Sequence, residues 1–248
     1  VFSGAATALI TPFAKNGEVD YEAFGRIIEM QKKAGVSAVV VNGTTGEASS
    51  LTFEERIKNV GFVAEKTNGV FPVIAGTGTN CTAQTIEYTL AAANAGADAA
   101  LVVLPYYNNP GEEGIIAHFY AVADASPVPI IAYDVPSRTG VTLSPSAAKK
   151  LSLHPNVVGL KEADCSINKV TAIAAACGKN FPIYSGCDGA ITPLLAIGGK
   201  GVISVLGNLF PNITREICEA YFCGDCEKSA HLQLLARPLI SELFAFVS

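Results

Sequence analysis

The chain has 248 residues, half of them apolar and 16% charged, with a net charge of −5. That length is typical of a single (β/α)8 barrel, and the composition supplies a large core and argues against disorder. The acidic balance argues against nucleic acid or anionic membrane as a partner, and no apolar run reaches the ~20 residues a membrane span needs. The opening Val1-Phe2-Ser3-Gly4 lacks a charged region followed by an apolar stretch, so no secretion signal is expected. It also lacks an initiator Met, as a processed or trimmed terminus would. Seven cysteines, an odd number scattered through apparent helices and strands, read as reduced thiols of a cytosolic enzyme.

Short apolar runs alternate with amphipathic segments along the chain. The runs fall at 4–10, 37–41, 72–75, 97–104, 129–133, 157–161, 182–185 and 201–205. Strands alternating with helices indicate parallel βαβ units, and eight of them predict a closed barrel. An open doubly wound sheet is the alternative, but no Gly-rich dinucleotide fingerprint opens the first unit.

Capping signals place the helices. Asp20 caps a helix with Phe24, Ile27, Ile28 and Ala34 on one face, ended by Gly35. Thr52 and Glu55 form a capping box, and the next helix carries a stripe of Ile86, Leu90 and Ala93 before Gly96. Ser144-Pro145 starts a helix over 147–151, and Ser166 opens one that runs through Ile173 and Cys177 to Gly178. Ile191, Leu194, Leu195 and Ile197 mark the seventh helix, and 213–222 the eighth. A break at Gly224-Asp225 divides the catalytic barrel (1–224) from a last helix, about 227–246, which begins a truncated C-terminal helical extension (225–248).

Val157-Val158-Gly159-Leu160-Lys161 reads as a buried strand with an amine at its carboxyl end. Burial disfavours an ammonium, and a neutral amine condenses with a ketone to a Schiff base. The plain alternative is a strand-end lysine reaching to water. Other polar groups share that end of the barrel, where catalytic residues collect. Asn42-Gly43-Thr44-Thr45-Gly46-Glu47 offers hydroxyls and backbone N–H groups to an anion, or is an ordinary Gly/Thr turn. Pro105-Tyr106-Tyr107-Asn108 follows the fourth run, where paired tyrosines commonly serve packing or an interface. After the fifth comes Tyr133-Asp134-Val135-Pro136-Ser137-Arg138, with a phenol suited to proton transfer and a guanidinium suited to a carboxylate, or to solvent. His118, His154 and His231 all lie away from these loops, so no metal site is expected there.

The segments Gly43-Thr44-Thr45-Gly46-Glu47, Tyr133 to Gly140 and Gly159-Leu160-Lys161-Glu162-Ala163, with Gly186, Asp188 and 201–205, resemble dihydrodipicolinate synthase. The resemblance runs in order along the chain and implies a pyruvate-dependent class I aldolase of lysine and diaminopimelate biosynthesis, without cofactor or metal. It implies that Lys161 forms the Schiff base with pyruvate, and that Thr44 and Thr45 bind the pyruvate carboxylate. Tyr133 would be the general acid/base, linked through Thr44 to Tyr107 from across a dimer interface. Arg138 would receive the carboxylate of L-aspartate 4-semialdehyde, with the Ile203 carbonyl and Gly186 backbone beside the pocket. A homodimer or a homotetramer built from two dimers, in the cytoplasm, is the implied assembly.

Some residues depart from the family pattern. Asp134 stands where asparagine is usual, and Cys187 where an acidic residue is usual. The chain ends at Ser248, before the rest of the family's helical domain. Ala48, Ser49, Asn80 and Tyr106 match the family's lysine effector pocket, but Phe53, Arg56 and Gln84 replace its two histidines and glutamate. Arg56 beside a cationic effector is repulsive, so weak or absent lysine feedback is expected. Cys223-Gly224-Asp225-Cys226, near Cys218 and His231, reads as a helix–helix turn and only remotely as a metal site. Competing functions are a sister lyase acting on a sialic acid or a 2-keto-3-deoxy sugar acid, and a non-catalytic pyruvate-binding subunit.

Overall fold

The structure, a computed structural model, describes residues 1–245. Its strands are β1 (Gly4–Ala8), β2 (Ala38–Val41), β3 (Val73–Gly76), β4 (Ala99–Val103), β5 (Ile130–Asp134), β6 (Val157–Glu162), β7 (Ile183–Ser185) and β8 (Gly201–Ser204). All are parallel, each pairs with the next in sequence, and β8 returns to β1 to close the barrel. The helices are α1 (Tyr21–Ala34), α2 (Phe53–Thr67), α3 (Thr82–Asn94), α4 (Gly111–Ala125), the short α5 (Pro136–Thr139), α6 (Pro145–Leu151), α7 (Ile167–Cys177), α8 (Ile191–Ala196), α9 (Pro211–Phe222) and α10 (Cys226–Leu243). The predicted (β/α)8 barrel with an added C-terminal helix is the architecture found. Residue 246, the predicted end of the last helix, lies outside the described residues.

The caps act as their chemistry requires. Asp20 Oδ1 accepts from the Ala23 N–H at 2.9 Å, and Gly35 closes α1 at φ 68°. Thr52 Oγ1 accepts from Glu55 N at 3.2 Å while the Glu55 carboxylate accepts from Thr52 N at 2.8 Å, completing the capping box. Helix α3 differs from expectation. Its buried face is Thr85, Thr89 and Ala92, and Leu90 is 40% exposed. Hydroxyl pairing makes that polar face suitable for burial: Thr89 bonds Thr77 at 2.8 Å, and Thr85 bonds Thr79 at 3.1 Å.

Two shells of apolar contact hold the fold. Between strands and helices lie large aliphatic clusters, and inside the barrel a separate one includes Ala6, Ala38, Ile131, Tyr133, Tyr184 and Ile203. Small residues on β1 and β2 leave interior room for long side chains from β5, β6 and β7. Helix α10 docks on this body: the Ser229 hydroxyl donates to the Ile217 carbonyl at 2.8 Å, and Gln233 Nε2 donates to the Asp188 carbonyl at 2.8 Å.

Close approach of β3 to the loop after β2 demands a glycine. A Cβ on Gly76 would stand 2.0 Å from the Asn42 carbonyl oxygen. Gly76→Ala is expected to lower stability by about 3 kcal/mol, read as a fall in the thermal unfolding midpoint; an unchanged midpoint would contradict that contact.

Candidate active site

Strands β5 and β6 place the central pair. Tyr133 and Lys161 are register partners, as are Asp134 and Glu162 one residue further on. Successive side chains on a strand point to opposite faces. Tyr133 and Lys161 therefore share the barrel interior, where Lys161 is only 5% exposed and its Nζ lies 4.1 Å from the Tyr133 ring centroid. An amine so enclosed against a phenol ring is poorly hydrated.

Asp134 and Glu162 point outward, beneath α7. Both are buried, and Lys169 from α7 reaches them, with Nζ 2.6 Å from Asp134 Oδ2 and 3.2 Å from Glu162 Oε2. Burial and the neighbouring Asp134 push the Glu162 carboxyl up to about 7. Burial opposes the charge on Lys169, but hydrogen bonding and attraction from the two acids outweigh it and raise the lysine pKa.

The strand-end loops carry the other predicted residues. Thr44 is exposed and Thr45 half-buried on a tight turn, where Gly46 N donates to the Gly43 carbonyl and Glu47 N to the Thr44 carbonyl, both at 3.0 Å. The Thr11 hydroxyl donates to the Gly46 carbonyl at 2.7 Å and ties this turn to the segment after β1. Arg138 lies exposed on α5 at the same rim. Tyr107 sits on the loop after β4 at φ 73°, with its N–H directed to the Thr139 carbonyl at 3.4 Å and its side chain 92% exposed. In one chain, then, Tyr107 stands outside the interior that holds Lys161. Ile203 is fully buried on β8, in the barrel-interior cluster with Tyr133, and Gly186 N donates to the Glu162 carbonyl at 2.7 Å at the β6 end.

Of the predicted effector-pocket residues, Ala48 and Tyr106 lie near Arg56, and Ser49 is exposed. The Arg56 guanidinium donates to the Ala48 carbonyl and stacks over Tyr88, 4.8 Å from its centroid. Burial lowers the Arg56 pKa, partly countered by the Tyr88 and Tyr106 phenols. Asn108 Nδ2 donates to the Asn80 carbonyl at 3.4 Å and Phe53 packs on Tyr88 at 5.3 Å, while Gln84 is exposed.

A buried lysine beside a tyrosine, in a barrel whose strand-end loops carry threonines, glycines and an arginine, suits carbonyl chemistry on an anionic substrate. The model of the dihydrodipicolinate synthetase family matches residues 1–247. The chain belongs to that family. It is 44% identical to the 4-hydroxy-tetrahydrodipicolinate synthase of Lachnoclostridium phytofermentans, covering all of this chain and 85% of the relative. It is 46% identical to the enzyme of the same name from Thermoanaerobacter sp., covering 98% of this chain and 82% of that one. Among solved structures, dihydrodipicolinate synthase from Aquifex aeolicus superposes with a TM-score of 0.97 at 41% identity, covering all of this chain and 84% of its own. The chloride-inhibited synthase from Acinetobacter baumannii complexed with pyruvate gives 0.98 at 38% identity, covering all of this chain and 85% of its own.

One expectation for this family member is overturned. Cys165 and Cys187 form a disulfide, so not all cysteines are thiols. Their separation of 22 residues gives no hint of pairing, but they lie on the loops after β6 and β7, which adjacent strands bring face to face. Cys81, Cys177, Cys218, Cys223 and Cys226 are free. Among the described residues no group of His, Cys, Asp or Glu is arranged to hold a metal ion.

Sequence reasoning gave no role to two supports of the site. Lys169 stands on α7, and only the outward alternation of Glu162 could have pointed to it. Asp188 is buried and accepts from the Ser204 hydroxyl at 2.5 Å and from Val205 and Leu206 N–H groups at 3.0 and 2.9 Å, which holds the end of β8. Burial pushes its carboxyl pKa up, against those bonds.

The disulfide closes a loop of 22 residues, worth about 3 kcal/mol by loss of chain entropy in the unfolded state. Treatment with a dithiol, or the Cys165→Ser/Cys187→Ser pair, is expected to lower the unfolding midpoint by roughly 5–10 °C. Equal midpoints with and without reductant would show that the bridge adds no stability.

Proposed function

We propose that this chain is a 4-hydroxy-tetrahydrodipicolinate synthase, which condenses pyruvate with L-aspartate 4-semialdehyde through a Schiff base on Lys161. The observation that carries the reading is the enclosed Lys161 amine, 4.1 Å from the Tyr133 ring centroid, in a member of this family. Thr44 and Thr45 hold the pyruvate carboxylate, with Gly186 and the Ile203 carbonyl bordering the pocket. The neutral amine adds to the keto carbon and water leaves, forming a protonated imine. The imine withdraws electrons from the methyl group, which loses a proton to become an enamine. The enamine carbon attacks the aldehyde of the second substrate, whose carboxylate Arg138 receives. The substrate amino group then attacks the imine carbon, closes the ring and expels the Lys161 amine.

Each step moves a proton, and the proposed route is Tyr133, Thr44 and Tyr107. The exposed Tyr107 ring on a left-handed backbone supports its delivery into the site of a second copy, in a homodimer or a dimer of dimers. Among the described residues no helix is long and apolar enough to cross a membrane. A cytoplasmic location is part of the proposal.

Borohydride reduction in the presence of pyruvate should fix one pyruvate-derived group on Lys161, located by peptide mass spectrometry. Adding L-aspartate 4-semialdehyde should then give ring product, and failure of either result would reject the synthase reading. The effector pocket also makes a prediction. Arg56 occupies it with a positive charge, so millimolar L-lysine should leave turnover within about twofold; strong inhibition in the same range would contradict that placement.

A further inference from the structure

The buried acid pair behind the site has a function of its own. Asp134 and Glu162 end β5 and β6, are register partners, and directly follow Tyr133 and Lys161 in sequence. A rotation of either strand end that moved one of these carboxylates would move the phenol or the amine on the opposite face. Each carboxylate has one buried oxygen without a hydrogen bond. Asp134 Oδ2 accepts from Leu143 N at 2.8 Å and Glu162 Oε1 from Asp164 N at 2.8 Å, but Asp134 Oδ1 and Glu162 Oε2 are buried without one.

We propose that Lys169 is a positioning residue for the Lys161–Tyr133 pair, holding the carboxyl ends of β5 and β6 through Asp134 and Glu162. Lys169 is the cation paired with both acids among the described residues. Its side chain, 14% exposed, also reaches Asp164 Oδ2 at 3.4 Å and donates to the Thr142 hydroxyl oxygen at 2.7 Å. One ammonium thus joins β5, β6, the loop after β6 and the segment after α5. Two like charges side by side and out of water repel each other, and the ammonium between them removes the force that would splay the strand ends. The charged groups facing it are Asp134 from β5, Glu162 from β6 and Asp164 from the following loop; the 140–144 segment supplies the Thr142 hydroxyl and Leu143 N–H. Removing Lys169 would leave two buried acids that separate or take up protons, and Lys161 would lose its fixed approach to the keto carbon.

The inference rests on Lys161 as the Schiff-base residue, and the test separates the two. Lys169→Met, Lys169→Gln and Lys169→Arg are compared with the parent at least about 20 °C below each unfolding midpoint, so that all are folded. The readouts are the rate of borohydride-trapped pyruvate on Lys161, kcat and KM for pyruvate. Loss of the cation is expected to lower trapping rate and kcat by about tenfold or more while KM stays within about threefold, as for a group that aligns rather than binds. Lys169→Arg should return to within about threefold of the parent, because a guanidinium spans both carboxylates. Lys169→Gln keeps a polar group of similar length and carries the test if Lys169→Met does not fold. Trapping in Lys169→Gln as fast as in the parent would overturn the positioning role alone. A parent that forms no adduct would remove the Schiff-base reading and this inference with it.

Discussion

Period-two alternation on two neighbouring strands governs the site. In register with each other, β5 and β6 turn Tyr133 and Lys161 into the barrel and Asp134 and Glu162 out of it. A slip of one residue in β6 would put an acid where the amine belongs and turn the amine to the helix layer, and a slip in β5 would do the same to the phenol. The two faces of the pair are therefore one design. Inside, an amine is kept from water beside a phenol; outside, two buried acids share one ammonium from α7.

The barrel makes that local arrangement into a site. Closure of β8 on β1 brings loops distant in the chain to a common rim. The Thr44–Thr45 turn is tied to the segment after β1 by Thr11, the Tyr107 backbone approaches the end of α5, and Asp188 holds the end of β8. Helix α10 joins this support through Gln233, whose amide N–H reaches the Asp188 carbonyl and whose amide oxygen accepts from Ile191 N at 3.1 Å. The C-terminal helix is thereby linked to the last strands of the barrel.

Family membership and geometry fit each other. The synthases it is similar to share the whole of its fold. A second acid at Asp134, a bridge between Cys165 and Cys187, and a guanidinium at Arg56 lie respectively behind, beside and outside the Lys161 pocket.

The linear sequence was sufficient for the eight parallel strands, most helix caps and a buried lysine near the end of β6. Strand periodicity, the Thr52–Glu55 box and an amine ending an apolar run are local signals set by residues close together in the chain. It misplaced the buried face of α3, since apolar periodicity cannot register that Thr85 and Thr89 are satisfied by Thr79 and Thr77. It also left the Cys165–Cys187 bridge and the role of Lys169 unseen. Those depend on which strands are neighbours and which way each residue faces, and only the closed barrel decides that, because its contacts join groups far apart along the chain or pointing out of the strand that carries them.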